Sequence, residues 1–306
     1  MTDSAAIPPP FAAGGAELID GRAMAAAIRG ELRATVEKLS ENGVRPGLAV
    51  ALVGEDPASA VYVGGKIKAC KEIGIRSIEA RLSATTTTAQ LIELIDDWNA
   101  DDSVDGILVQ LPLPKGIDTQ AVVERIAPDK DVDGFGADNL GRLAQGKPRL
   151  VACTPFGVME MLKRWGKLHN WTPAGKRAVV VGRSITVGRP MALLLLGADA
   201  TVTICHSRTA DLAGAVGQAE IVVAAAGQRH LIQGEWIAQG AVVIDVGIHR
   251  GDDGKLTGDV DFAAASQRAR AITPVPGGVG PMTIAMLMAN TVSACRQRRG
   301  LGPVTG

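Results

Sequence analysis

Aromatic side chains and cysteine are both scarce in this chain of 306 residues. Only 3% are Phe, Trp or Tyr, one of them a tyrosine, and there are four cysteines. Cys70, Cys153, Cys205 and Cys295 lie far apart and form no C-x-x-C pair. That spacing argues against a disulfide framework or a zinc site and fits free thiols in a reducing cytoplasm. Charge of either sign is not in excess: 32 Lys and Arg balance 32 Asp and Glu. A neutral chain has no electrostatic pull on nucleic acid or an anionic membrane, so neither is expected as a partner. No run of about 18 consecutive apolar residues occurs, so no membrane-spanning helix is expected. Residues Met1–Gly15 lack the basic flank and apolar block of a secretory signal and read as a flexible tail. The G-x-G-x-x-G fingerprint, a P-loop and internal repeats are missing as well.

What is present is apolar and periodic. Hydrophobic residues make up 46% of the chain, ample for a real core in one or two domains. The organising stretch is Val179–Pro190, VVVGRSITVGRP. A β-branched strand ends at Gly182, a polar loop follows, and Gly188 and Pro190 open an apolar helical run. Strand, tight turn and helix present backbone N–H groups and a helix N-terminus to a phosphate. The next strand, Ala200–Cys205, ends at His206-Ser207-Arg208-Thr209 with no carboxylate. A free ribose 2′-OH wants an acid there, whereas a 2′-phosphate wants cations and hydroxyls. Arg183, Ser207 and Arg208 therefore favour NADP over NAD. Further strands at Glu220–Ala226 and Ala241–Val246 indicate a parallel sheet covered by helices.

Upstream, Asp20 can cap a helix to about Asn42. Strands at Leu48–Val53, Arg76–Leu82 and Gly106–Gln110 alternate with helices at Ala58–Ile73, Thr88–Asn99 and Asp118–Ile126. They form a second α/β layer. Pro128–Val151 has little periodicity and reads as a linker lining the cleft between two lobes. Thr154-Pro155 starts a helix to about Arg164, and the last helix, Met282–Arg298, is expected to return to the first lobe.

Several residues here invite chemistry. Tyr62 and Lys66 share a helix face one turn apart. The pair reads either as a packed tyrosine under a solvated lysine or as the Tyr-x-x-x-Lys of short-chain dehydrogenases. In those enzymes, however, the pair follows the nucleotide loop rather than preceding it. Gln110 closes a strand where an open sheet faces its ligand crevice, or simply caps it. Asp129–Gly134 is an acidic turn without the His or Glu cluster that a metal site wants, so no metal is expected. Pro274–Pro281 carries three glycines that permit close approach to a ligand, or forms a stiff hinge.

Taken in order, YVGGK at 62–66, VQLPLP at 109–114, KDVDGF at 130–135, CTP at 153–155, the Gly182–Pro190 loop, CHSRT at 205–209, DVGI at 245–248 and TPVPGGVGPMT at 273–283 resemble the bifunctional methylenetetrahydrofolate dehydrogenase/cyclohydrolase (FolD) family. The resemblance runs from about Leu18 to Arg298. His249 departs from it, where the family usually has Asn after the Asp-Val-Gly-Ile run. The resemblance implies an α/β fold of two lobes around a cleft. A Rossmann-like NADP-binding parallel sheet spans 151–281, and a folate-binding α/β domain spans 16–150, completed by the C-terminal helix over 282–300. It implies a homodimer that oxidises 5,10-methylenetetrahydrofolate with NADP and hydrolyses the product to 10-formyltetrahydrofolate. Lys66 is then catalytic, supported by Gln110. Tyr62 stacks on the aminobenzoate ring and Asp133 holds the pterin edge, with Leu111, Pro276, Gly277 and Gly278 bordering the folate. Gly182, Arg183, Ser184, Ser207 and Ile248 take the cofactor. Without a P-loop, formyltetrahydrofolate synthetase activity is not expected. A short-chain oxidoreductase using Tyr62 as its acid, or a non-catalytic NADP-binding module, are the alternative readings.

Overall fold

The computed structural model describes residues 15–251 and 253–302. The expected tail lies outside the described residues apart from Gly15. In chain order the elements are β1 (Glu17–Leu18), α1 (Gly21–Glu41), β2 (Gly47–Val53), α2 (Pro57–Ile73), β3 (Arg76–Leu82), α3 (Thr88–Ala100), β4 (Gly106–Val109), α4 (Thr119–Arg125) and α5 (Ala137–Ala144). They continue with α6 (Cys153–His169), β5 (Arg177–Val181), α7 (Gly188–Gly197), β6 (Thr201–Cys205), α8 (Leu212–Gly217), β7 (Ile221–Ala224) and β8 (Val242–Asp245). The chain ends with the β9 (His249–Arg250) and β10 (Leu256–Thr257) pair, α9 (Phe262–Ala265), β11 (Ala271–Ile272) and α10 (Val279–Arg298). These divide into two compact units, one holding the N-terminal stretch to Met24 with Gly157–Met282, the other Ala25–Phe156 with the stretch from Thr283.

The second of these units is built on a parallel sheet ordered β3-β2-β4. Every residue of β2 is buried, which is why its sequence is one apolar run rather than an alternation. Asp56 accepts from the Ser59 N–H at 2.7 Å and Pro57 opens α2, while Gly74 closes it at φ 97°. Thr87 and Gln90 form a capping box that starts α3. Leu91, Ile95 and Trp98 of α3 pack with Ala49, Val53 and Val109 of the sheet. The end of α10 is fastened to this sheet by charge. Asp105, fully buried, accepts from Arg298 at 3.0 Å and Arg299 at 2.6 Å, and its other oxygen takes the Gly47 N–H. Removing one partner of such a buried pair costs about 3–5 kcal/mol.

The other unit carries six parallel strands in the order β1-β11-β8-β7-β5-β6. Connections from β5 run to β6 on one side and then back to β7 on the other. The carboxyl ends of β5 and β7 therefore flank a topological switch point, where such sheets bind ligands. Val181, Val222, Ala224 and Val243 lie in its core.

Three differences from the sequence reading have physical causes. Residues 16–24 were expected in the first lobe, yet Glu17 pairs with Ala271 and Leu18 with Ile272 in the six-stranded sheet. A two-residue strand is too short to show a period. Pro128–Val151 is not a bare linker: it belongs wholly to the three-stranded unit and contains α5, whose amphipathic turn is hidden among Gly and Asp. Helix α6 begins at Cys153 and runs to His169 rather than Arg164. Its last turn is held by Trp165, 1% exposed and stacked on His169 at 4.6 Å. Among the described residues no helix is long and apolar enough to cross a membrane.

Candidate functional site

In the three-stranded unit, α2 carries Lys66 to the carboxyl end of β4. Lys66 is only 8% exposed, and its Nζ donates to Gln110 Oε1 at 3.0 Å. The Gln110 amide is oriented from its other end, since Nε2 donates to the Leu111 carbonyl at 2.7 Å. With its N–H₂ committed there, only the carbonyl oxygen is left to face the lysine. Leu111 is partly buried, and the peptide joining it to Pro112 is cis. Tyr62, one turn before Lys66, is 45% exposed, so its ring offers a face to a planar ligand.

Asp133 completes this group. Burial raises its carboxyl above the usual range, the charge of Lys66 pulls it back, and Asp131 pushes it up again. The turn that presents it is not the solvated acidic loop its composition suggests. Asp131 is buried and accepts from the N–H groups of Gly134 and Gly136 at 3.0 and 2.9 Å and from Asn139 Nδ2 at 3.0 Å. Lys130, also buried, spends its ammonium on the carbonyls of Trp98, Asn99 and Asp101, and burial lowers its pKa. Asn290 of α10 donates to the carbonyls of Val132 and Val151, each at 2.8 Å. Burial also pushes the Cys153 thiol well above its ordinary value, so it stays protonated and donates to the Val132 carbonyl at 3.2 Å. Sequence reasoning missed Asp131, Asn139 and Asn290. The one available signal was an amide inside the apolar run of α10.

In the six-stranded unit, Gly182 lies at φ 130°, and a Cβ there would overlap the Ala225 carbonyl oxygen. A Cβ at Gly188 would overlap the carbonyl of Gly182. Both glycines are thus demanded by backbone packed on backbone at the switch point. Ser184 Oγ accepts from the N–H groups of Val187 and Gly188 at 3.1 and 3.3 Å, shaping the entry to α7 and leaving its own O–H free to donate. Arg183, Ser207 and Arg208 are exposed at the carboxyl ends of β5 and β6. Thr209 Oγ1 takes the His206 N–H at 2.9 Å and holds that turn. A glycine-lined cradle with cations and hydroxyls, and no carboxylate at the end of β6, fits the phosphates of NADP.

Ile248, Pro276, Gly277 and Gly278 also belong to this unit, where they line one cavity of about 130 Å³ together with Arg22. Arg22 was not singled out from the sequence. Its N–H donates to the Gly277 carbonyl at 3.1 Å, and Gly277 lies at φ 110°. Asp245, at the end of β8, receives three backbone N–H groups, from Gly247, Asp259 and Val260, each at 2.9 Å. Burial nonetheless prevails and, with the nearby charge of Asp259, pushes its carboxyl up to about 6.

Fold and side-chain geometry define an α/β enzyme of the dinucleotide-dependent class, with a switch-point phosphate cradle in one unit and a buried lysine–amide pair in the other. The family model described as the tetrahydrofolate dehydrogenase/cyclohydrolase catalytic domain matches residues 19–133, and that of the NAD(P)-binding domain of the same enzymes matches 152–299. The bifunctional protein FolD of Magnetococcus marinus is 58% identical over 287 residues, covering 94% of this chain and 99% of that protein. The crystal structure of the FolD methylenetetrahydrofolate dehydrogenase/cyclohydrolase from Campylobacter jejuni is 47% identical, covers 93% of this chain and 100% of its own, and has a TM-score of 0.90. That of the Trypanosoma brucei enzyme, complexed with NADP cofactor and an inhibitor, is 41% identical with a TM-score of 0.87, covering 93% of this chain and 98% of its own. The chain belongs to the tetrahydrofolate dehydrogenase/cyclohydrolase family.

Proposed function

We infer that this protein oxidises 5,10-methylenetetrahydrofolate with NADP⁺ and hydrolyses the resulting 5,10-methenyl cation to 10-formyltetrahydrofolate. The observation that carries the reading is a nearly buried Lys66, hydrogen-bonded to a fixed Gln110 and within the electrostatic reach of Asp133. Family membership disfavours the short-chain oxidoreductase and the non-catalytic module.

The two reactions ask different things of the side chains. In the first, a C–H bond of the one-carbon bridge breaks, its hydrogen leaves with the electron pair as hydride, and positive charge spreads over N5 and N10. NADP⁺ supplies the hydride acceptor. No proton moves at the reacting carbon, so the protein's task is alignment. Tyr62 stacks on the aminobenzoate ring, and Asp133 accepts hydrogen bonds from the pterin edge. Leu111, Pro276, Gly277 and Gly278 border the folate. Arg183, Ser184 and Ser207 hold the cofactor phosphates over Gly182, with Ile248 beside the cofactor.

In the second reaction, water adds to the cationic carbon and gives up a proton. The carbinol O–H then gives up its proton as the C=O bond forms and the bond from that carbon to N5 breaks; N5 gains a proton, the formyl group stays on N10, and one proton is released overall. A titratable group must take one proton and supply the other. The Lys66 amine is suited to both transfers, and Gln110 Oε1 sets the direction of one of its N–H bonds.

The assembly we propose is a homodimer. β6 is the outermost strand of its sheet, and Ile204 on it and Leu196 of α7 are 42% and 60% exposed, an apolar edge that a second copy can cover. A reducing cytoplasm suits the four buried free thiols. The test of the function is product analysis. Purified protein given 5,10-methylenetetrahydrofolate and NADP⁺ should yield NADPH and 10-formyltetrahydrofolate in equal amounts. Unchanged folate would refute the oxidation, and NADPH accompanied only by the methenyl product would refute the hydrolysis. A solution mass of one chain by light scattering would refute the dimer.

A further inference from the structure

His249 is a visible departure from the family resemblance, and the structure gives its imidazole a buried partner. Nε2 of His249 lies 2.7 Å from Oδ1 of Asp259, a carboxylate with no exposed side-chain surface. The second oxygen of that carboxylate accepts from the N–H groups of Ala226 at 2.6 Å and Gly227 at 3.0 Å. Ala226 and Gly227 follow β7, on one flank of the switch point. This turn reaches the phosphate cradle directly, because a Cβ on Gly182 would overlap the carbonyl oxygen of Ala225. Asp259 also lies against the segment after β8: a Cβ on Gly247 would overlap its Oδ1. One carboxylate thus joins the turn behind the cradle to the backbone leading into Ile248, and His249 supplies its side-chain donor.

We propose that His249 is a positioning residue for the dinucleotide, acting through Asp259 to hold the Ala226–Gly227 turn and the Gly247–Ile248 backbone in the arrangement that receives NADP. A carboxylate has only acceptors, so Nε2 is the donor and the proton must reside on that nitrogen. Without it, one oxygen of a fully buried carboxylate loses its charge-assisted bond. The turn then keeps its two N–H bonds but loses the tie that fixes the carboxylate between two loops. The reach of the donor matters here. A glutamine amide places its nitrogen about where Nε2 stands, whereas an asparagine amide falls short by roughly one bond length. Asparagine at this position, the usual family residue, would have to serve the site without this latch.

The inference rests on the reading that NADP binds at the switch point. It is tested by titration calorimetry with NADP⁺ alone, on the full chain, for wild type, His249→Ala, His249→Asn and His249→Gln, with melting temperatures recorded alongside. Wild type should bind. His249→Ala and His249→Asn should bind about tenfold more weakly, the loss of one such bond partly transmitted to the site. His249→Gln should return to within about threefold of wild type. If His249→Ala does not yield folded protein, the Asn and Gln pair carries the comparison. Equal affinity in all variants overturns the proposal, as does equal weakening by Gln and Asn, which would assign the effect to imidazole packing. Absence of binding by wild type would instead overturn the underlying assignment of NADP to this unit.

Discussion

Asp245 makes stability depend on pH in a direction opposite to that of most carboxylates. Its carboxyl titrates near 6 in the folded chain, against 3.8 for an ordinary aspartate. Between those values the folded protein holds a proton that the unfolded chain has released. Stability due to this group is therefore fully present below about pH 4 and is lost as pH rises toward 6. The gap from 3.8 to about 6, at about 1.4 kcal/mol per pH unit, amounts to about 3 kcal/mol. Asp245→Asn removes the titration but not the site. An amide oxygen can still accept from some of the three N–H groups, while its nitrogen confronts another, which costs about 1–3 kcal/mol at every pH. The quantity to measure is the difference in unfolding free energy, wild type minus variant, from urea titrations at intervals between pH 4 and 7. It should fall by about 3 kcal/mol across that range and then level off. A difference independent of pH would refute the raised pKa, and one that rises with pH would mean that the three backbone donors dominate over burial.

Two substitutions probe the two ligands separately. Arg183→Ala should raise KM for NADP⁺ about tenfold while changing KM for NAD⁺ little, because a single exposed cation on a phosphate is worth on the order of 1 kcal/mol. Wild-type protein that uses both cofactors equally well would contradict the NADP preference. Asp133→Asn should weaken folate binding by about tenfold or more and leave the dissociation constant of NADP⁺ within twofold, since charge-assisted bonds to a pterin edge are worth about 1.5–3 kcal/mol. Equal losses for both ligands would count against a pterin contact.

The parts of this molecule that can be read from sequence are those that repeat locally. The all-buried β2, the capped ends of α2 and the glycine loop after β5 each announce themselves within a dozen residues. Lys66 and Gln110 were also nameable, because each stands at a helix turn or strand end whose place was predictable, and they meet at 3.0 Å. What escaped are residues whose meaning comes from distant partners. Glu17 and Leu18 are a strand only because Ala271 and Ile272 lie beside them. Asp131 looks like one more acid in a polar turn until three backbone N–H groups and the Asn139 amide close around it. Asp259 carries no motif at all, yet it receives His249 and two backbone amides from a turn more than thirty residues away. The acidic turn around Asp133 hides its construction for the same reason: composition alone does not reveal that Lys130 spends its charge on three carbonyls at the end of α3.

The central claim is that one lysine serves the hydrolysis and not the hydride transfer. It is tested most directly by following methenyltetrahydrofolate absorbance in the Lys66→Gln protein. Glutamine keeps much of the side-chain bulk and removes the titratable amine. Given 5,10-methylenetetrahydrofolate and NADP⁺, the variant should form the methenyl compound at a reduced but measurable rate. It should then fail to consume it, because a proton relay worth typically 10²–10⁴-fold is gone. Wild type should pass the same compound on to 10-formyltetrahydrofolate. Hydrolysis at the wild-type rate in Lys66→Gln, or loss of both reactions with folate binding unchanged, would contradict the account.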